Sequence, residues 1–289
     1  MQAEKIQQTD ISLQELIAAE LSSSDFQLPV FNEVALKLQN ALGDEDITID
    51  DIEALIMEDP ALAGQILRMA NSAFYKGLGE IDTIKRAILR LGSEQVASMA
   101  MLASQKQAYS SDNRQIAAYM ETLWKHSFVS AVGCKWVAQH GGFASDASVA
   151  FLSGLLHDVG KLVILKVVEQ IQQQNGPSGG ISDEAILEII ESPLHTECGY
   201  QLMKAWNLPE PFDLVVRDHH DKDSEQHQIL LAIVRLMNQV SESMGFSVRN
   251  DKDVMPAASE EAQLLGLSEI ELAELEIFIE DTLQVDSEL

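Results

Sequence analysis

The residues with chemistry to offer in this chain are its histidines. His126 lies in LWKHSF, His157 and Asp158 are adjacent in GLLHDVGK, His195 lies in SPLHTECGYQL, and His219 and His220 lie in VVRDHHD. Neutral imidazole and carboxylate suit Zn, Fe, Mn or Ni, and one anionic ligand partly offsets the charge of a dication. Leu155, Leu156 and Val159 bracket the His157-Asp158 doublet, so it is expected inside the fold. A buried carboxylate without a cationic partner is expensive, and a metal would remove that cost. Neighbouring residues of a helix point about 100° apart, so a doublet addresses one ion best from a helix end. Gly160, just after it, allows such a break. Lys161 adds a cation that could hold a phosphate oxygen.

Plainer readings stand beside these. An isolated His-Asp pair is often a surface cap. His126 shares an amphipathic helix with Phe128, Val129 and Val132, and reads equally as a hydrogen-bonded core histidine or as a ligand. Gly199 follows His195 at i+4 and would let a neighbouring backbone approach. His219 falls four residues after Val215, toward the core, but the His219-His220 doublet alone reads better as a helix C-terminal cap than as a ligand pair. His140 and His227 read as peripheral.

The elements that must position these groups are helices. Apolar residues recur at helical spacing in Val30, Val34, Leu38 and Ala41, in Ile52, Leu55 and Ile56, and in Leu62, Ile66 and Met69. Asp59 caps a helix that has Pro60 in its first turn. Thr83 opens and Gly92 closes another. Ser93 starts a helix through the methionine-rich VASMAMLASQ, where Met99 and Met101 read as core packing. Further helices are expected near 115–139, 146–157, 159–174, 183–191, 193–206, 210–220 and 226–244. No segment alternates with period two, so the fold class is all-α. The polar stretch Ser110 to Arg114 divides an N-terminal helical lobe, 1–112, from a helical core, 113–248. A cluster at Arg68, Asn71, Ser72 and Tyr75 reads as inter-helix hydrogen bonding or as the lining of a groove between lobes.

The rest, 249–289, is an acidic helical tail. From Asp251 onward it carries twelve carboxylates against one base, Lys252. Ser268 and Glu271 fit a capping box, and Leu272, Leu275, Ile279 and Leu283 form one apolar stripe. The tail therefore packs on its own domain, or docks a basic partner, or forms a seam for a homodimer. The whole chain of 289 residues carries 46 Asp and Glu against 19 Lys and Arg, a formal net charge of -27. So acidic a surface repels phosphate backbones, which argues against nucleic-acid or anionic-membrane partners. A local basic pocket could still hold one small phosphorylated ligand. Two cysteines, Cys134 and Cys198, make no disulfide framework, and the reducing cytoplasm is the simplest compartment. The opening residues lack the apolar core of a signal peptide. No stretch is expected to reach the length of a membrane span.

The segments LPVFNEVALKLQ, EDPALAGQILRMANSAFY, TIKRAILRLG and GLLHDVGK, in this order, resemble the HDOD (HD-related output domain) proteins. These are signalling relatives of the HD-domain metal-dependent phosphohydrolases. The resemblance spans Phe26 to Met244. It implies an all-helical fold, with an N-terminal lobe packed on an HD-like core, and a regulatory role in bacterial signalling through an unidentified protein partner. In the catalytic HD pattern one metal is held by a histidine, the doublet and a later aspartate. His126, His157 and Asp158 match the first three, and Asn238 stands at the fourth, a neutral and poorer ligand. Two-metal relatives add histidines resembling His195, His219 and His220, and HTECGYQL fits the HxxxGxxL wording of that region. The GYP signature expected after the histidine pair is absent from HHDKDSEQH, so cyclic-di-GMP cleavage is not supported. Two functions remain open. One is a signalling module whose pocket binds a metal or ligand with little or no turnover. The other is a metal-dependent phosphohydrolase acting on a phosphoester or nucleotide, with Asp158 and Lys161 catalytic. No sensor or receiver is recognised in the chain, so its input is expected from another molecule.

Overall fold

Side-chain caps mark most helix starts, and the helices follow from them. The computed structural model describes residues 13–21, 32–44, 46–72, 75, 80–175, 180–224 and 226–286. The first helices are α1 (Leu13–Leu21), α2 (Glu33–Ala41) and α3 (Ile49–Met57). Then come α4 (Pro60–Ala70), α5 (Ile84–Leu91) and α6 (Ser93–Ala108). Asp59 accepts hydrogen bonds from the Ala61 and Leu62 amides, and Thr83 accepts one from Arg86, as the sequence predicts. Gly92 links α5 to α6 at φ 90°, a conformation that only glycine adopts without strain. α1 was not anticipated from the sequence, and the expected helical residues Leu28 to Phe31 lie outside the described residues.

The next helices carry the candidate site. They are α7 (Arg114–His140), α8 (Ala147–Leu156), α9 (Val159–Asn175) and α10 (Asp183–Ile190). α11 (Leu194–Ala205), α12 (Phe212–Asp218) and α13 (Gln228–Met244) follow. No strand occurs among the described residues. α7 lies against α8, α9, α13 and α15, and α11 against α9 and α12. The tail supplies α14 (Glu260–Leu264) and α15 (Glu269–Asp286). Ser268 and Glu271 make the expected capping box, with the Ser268 amide and hydroxyl donating to Glu271 at 2.8 and 2.7 Å. Leu272, Leu275 and Ile279 are buried, so α15 packs on the chain's own α7.

One hydrophobic cluster runs from Ile17 on α1 through α6, α7, α8 and α9 to Val216 on α12. A second joins α7, α8 and α13 to α14 and α15. α6 is buried from Gln95 to Gln105, and Gln105 donates to the Leu155 carbonyl on α8 at 3.3 Å. α6 thus links the two sides of the Ser110–Arg114 stretch. The stretch Ala144–Gln174 is long and apolar enough for a membrane span by length and composition, contrary to expectation. Its most apolar window is 89% buried inside the fold, because α8 and α9 are the central helices and are apolar on nearly all sides.

Candidate metal centre

The His157-Asp158 doublet occupies the junction between α8 and α9. His157 is the C-terminal cap of α8, and its Nδ1 lies 2.8 Å from the Gly154 carbonyl. The break at the doublet is as predicted, but Gly160 does not make it. Gly160 sits inside α9, where a Cβ would stand 1.8 Å from the His195 carbonyl oxygen and 2.7 Å from the Gly199 amide nitrogen. Its missing side chain lets α9 and α11 touch backbone to backbone, which brings His195 to Asp158. A Cβ at Gly199 would in turn meet Val216 Cγ1 at 2.5 Å. The close approach expected at Gly199 is real, and Gly160 is its other half.

Five imidazoles converge on one carboxylate. Asp158 Oδ2 lies 3.3 Å from His126 Nε2 and 3.4 Å from His157 Nε2. Its Oδ1 lies 3.6 Å from His195 Nε2 and 3.5 Å from His219 Nε2. The two Nε2 atoms of His126 and His157 are 3.2 Å apart, and those of His195 and His220 are 3.1 Å apart. The atoms therefore form two ligand groups that share Asp158: His126, His157 and Asp158, and Asp158, His195, His219 and His220. All but His220, at the rim, are buried.

Three observations test whether these residues fit a metal. First, ligand atoms around a tetrahedral ion with bonds of about 2.1 Å stand about 3.4 Å apart, and the Asp158–imidazole separations above straddle that value. Second, Asp158 Oδ1 and His219 Nε2 are buried and have no hydrogen-bond partner, a costly state unless something bonds to them. Third, the ring tautomers are set. The Nδ1 atoms of His157, His195 and His219 lie 2.8, 2.6 and 3.0 Å from the carbonyls of Gly154, Ser192 and Val216. Each Nδ1–H donates outward, and the Nε2 lone pair faces inward, as in metal-binding histidines. The residues fit a divalent metal. His219 is at once the C-terminal cap of α12 and a member of the cluster. The two readings of the His219-His220 doublet are therefore compatible.

Lys161 is buried, 2.9 Å from Asp158 Oδ2 and 3.0 Å from Glu191 Oε1. Burial pushes the Asp158 carboxyl up, but Lys161 and the nearby histidines outweigh it and hold it well below the usual carboxylate range. Burial likewise pulls Lys161 down, and its two carboxylates raise it above the ordinary lysine value. Asn238, on α13, has a buried Oδ1 with no hydrogen-bond partner. Among the described residues it makes no hydrogen bond to the cluster. His140 stacks on Trp136 with centroids 3.7 Å apart, and His227 precedes α13 in a left-handed conformation, so both are peripheral.

Two supporting residues escaped the sequence reading. Glu191 fixes Lys161. Arg235 donates to the carbonyls of His219 at 3.1 Å and Asp221 at 2.8 Å, and so holds the histidine turn. Neither has a local signal, because each acts across helices. Of the Arg68 cluster, Asn71 bonds to Leu67 and Ile81, and the Tyr75 hydroxyl accepts from Gln95.

Burial pushes the His195 ring down to about 4 and the His219 ring to about 3. Unfolded, both titrate near 6.5, so below that pH the unfolded chain binds more protons. The stabilisation is complete above about pH 6.5 and is lost as pH falls toward those folded values, by about 1.4 kcal/mol per pH unit for each ring. Urea denaturation of chelator-treated protein should show this decline between pH 7 and pH 5, and His219→Gln should reduce its slope. A parent whose stability is level across that range would contradict neutral buried rings.

The described residues combine an all-helical fold with a His-Asp doublet at a buried helix junction, ringed by further histidines. Residues 28–222 match the HDOD domain family, and the chain belongs to it. Its fold is similar to that of an HDOD domain protein of unknown function from Geobacter sulfurreducens, with a TM-score of 0.70, 21% identity, and 94% of each chain covered. It is also similar to a protein named a putative metal-dependent phosphohydrolase from Shewanella amazonensis SB2B. There the TM-score is 0.69 at 21% identity, covering 90% of this chain and 93% of that one. A protein named a putative signal transduction protein from Marinobacter aquaeolei VT8 gives 0.66 at 20% identity, covering 94% of this chain and 62% of that one. An uncharacterized protein of Treponema pallidum (strain Nichols) is 25% identical over 234 residues, which is 77% of this chain. The chain spans only 44% of that relative's length.

Proposed function

We propose that this chain is a regulatory module of bacterial signal transduction whose HD pocket binds a divalent transition metal, with phosphoester hydrolysis weak or lost. The observation that carries this reading is the makeup of the pocket: many imidazoles gathered around Asp158, the one carboxylate in either ligand group. Imidazole-rich sites suit Fe, Mn, Ni or Zn. His126, His157, Asp158, His195, His219 and His220 would hold the ion or ions. A bound divalent ion would supply Lewis acidity toward a phosphoryl oxygen and lower the pKa of a bound water. Turnover further needs a group that takes the proton of the attacking water. Asp158 is already engaged by Lys161 and four imidazoles, and Asn238, at the position where the resemblance expects a second acid, is neutral. Binding is thereby kept and turnover weakened.

A metal-dependent phosphohydrolase is the second reading. What favours it is Lys161, a buried cation beside the pocket with a donor to spare for a phosphate. The working compartment is read as the cytoplasm, in keeping with two free, buried cysteines. The partner is read as a signalling protein, with a small phosphorylated ligand as the pocket's alternative occupant.

The test is elemental analysis of purified protein together with phosphoester and nucleotide hydrolysis in the presence of Mn, Ni or Fe. Bound transition metal with negligible turnover is expected, and Asn238→Asp should raise both metal retention and turnover. Robust parental turnover, lost in Asp158→Ala, would transfer the assignment to the enzyme. A chain without metal even after loading would end both readings.

A further inference from the structure

A cleft of about 300 Å³ opens between α4, α6 and α7, with Gln65 and Arg68 from α4, Leu102, Lys106 and Gln107 from α6, and Trp124 from α7 along its walls. This volume is at the small end of ligand-sized cavities. Its chemistry differs from the rest of the surface. In a chain with a formal net charge of -27, carboxylates are plentiful partners for lysines and arginines. Lys37, Lys85, Arg86, Lys125, Lys166, Lys204 and Arg217 each pair with one. Arg68 and Lys106 are both exposed, and among the described residues neither pairs with a carboxylate. Both point to the same cleft. Lys106 Nζ lies 5.9 Å from the centre of the Trp124 ring, so its charge is directed over an aromatic surface. Two glutamine amides add donors and acceptors, and Leu102 and Trp124 give an apolar floor.

We infer that this cleft is a second binding site, for a small organic phosphate with a flat aromatic body of the size of a nucleoside monophosphate. The two cations would take the phosphate, where guanidinium and ammonium donors form charge-assisted bonds. The aromatic body would lie on the Leu102–Trp124 floor, and the amides of Gln65 and Gln107 would meet its polar edge. A protein or nucleic-acid anion is a poorer match, because a chain with a formal net charge of -27 repels an extended polyanion. The site does not depend on the metal pocket. It gives the helices before the histidine-bearing core a role of their own, since α7 carries both Trp124 and His126.

The test is isothermal titration of the full chain, treated with chelator, using AMP and GMP, the parent nucleosides and inorganic phosphate as probes. A monophosphate should bind with one site per chain, and nucleoside or phosphate alone at least about tenfold more weakly. Arg68→Gln and Lys106→Gln alter exposed side chains and leave the core intact. Each should weaken binding by about tenfold or more, as expected for loss of a charge-assisted bond. Asp158→Asn, titrated under conditions where circular dichroism shows it folded, should leave binding unchanged. Absence of binding at millimolar probe would overturn the inference, and so would inorganic phosphate binding as tightly as the nucleotide. Binding that followed Asp158 and ignored Arg68 and Lys106 would place the ligand in the metal pocket, defeating the cleft but not the metal reading.

Discussion

Gly160→Ala will fail to reach the parent's stability. The added methyl would stand 1.8 Å from the His195 carbonyl oxygen and 2.7 Å from the Gly199 amide nitrogen. Both are backbone atoms of α11 and no rotamer change can move them. Relief requires α9 and α11 to part, which unpacks a fully buried contact and draws His195 away from Asp158. Overpacking of a core ordinarily costs about 1–3 kcal/mol, and a clash against backbone belongs at or above the upper end of that range. The expected result is a chain that is insoluble or loses about 3 kcal/mol or more in urea denaturation, together with its metal. Gly142→Ala makes a useful comparison, since nothing lies within 4 Å of a Cβ there and only its φ of 89° would be strained. If Gly160→Ala melts with the parent and Gly142→Ala does not, the two helices do not touch as described.

Asp158→Asn should have the largest effect on the pocket. The substitution keeps the shape and removes the charge. Each oxygen of Asp158 faces one ligand group, Oδ2 toward His126 and His157 and Oδ1 toward His195 and His219. One change therefore weakens both groups at once. Loss of even a supporting partner typically costs about 10- to 100-fold in metal affinity, so loss of a shared ligand should cost about 100-fold or more. Elemental analysis after gel filtration should find little metal in the variant. The apo chain should suffer as well. Lys161 would keep only Glu191 as a counter-charge, and breaking a buried pair from one side costs about 3–5 kcal/mol. Metal content equal to the parent's would mean that Asp158 is not a ligand. A variant without metal but with undiminished apo stability would mean that the Lys161 pair contributes little to folding.

Much of this arrangement was legible in the chain itself. The caps at Asp59, Thr83 and Ser268, and the apolar periodicity, specify helices within a few residues of those observed, because these signals act over one turn. α1 was missed, although Ser12 and Glu15 stand at capping-box spacing in the sequence ahead of its apolar residues. Its Ile17 is buried, with α1 packed on α9 and α10. The histidines could be picked out by type and setting, but their common destination could not be derived from spacing. His126 and His219 are far apart in sequence, and no local rule states that their Nε2 atoms face one carboxylate.

Gly160 shows the division most clearly. From sequence it reads as a helix breaker, and in the fold it is a helical residue chosen for the space it leaves. The order of residues by itself determined an acidic, all-helical chain of the HDOD type, with a doublet at a helix junction. Capping, periodicity and charge are local or additive properties. Only the tertiary structure decided that Asp158 would divide its two oxygens between two histidine groups, that Glu191 and Arg235 would brace them, and that Arg68 and Lys106 would share a cleft. Those pairings depend on helix–helix contact distances, which the packed core fixes and the linear chain does not contain.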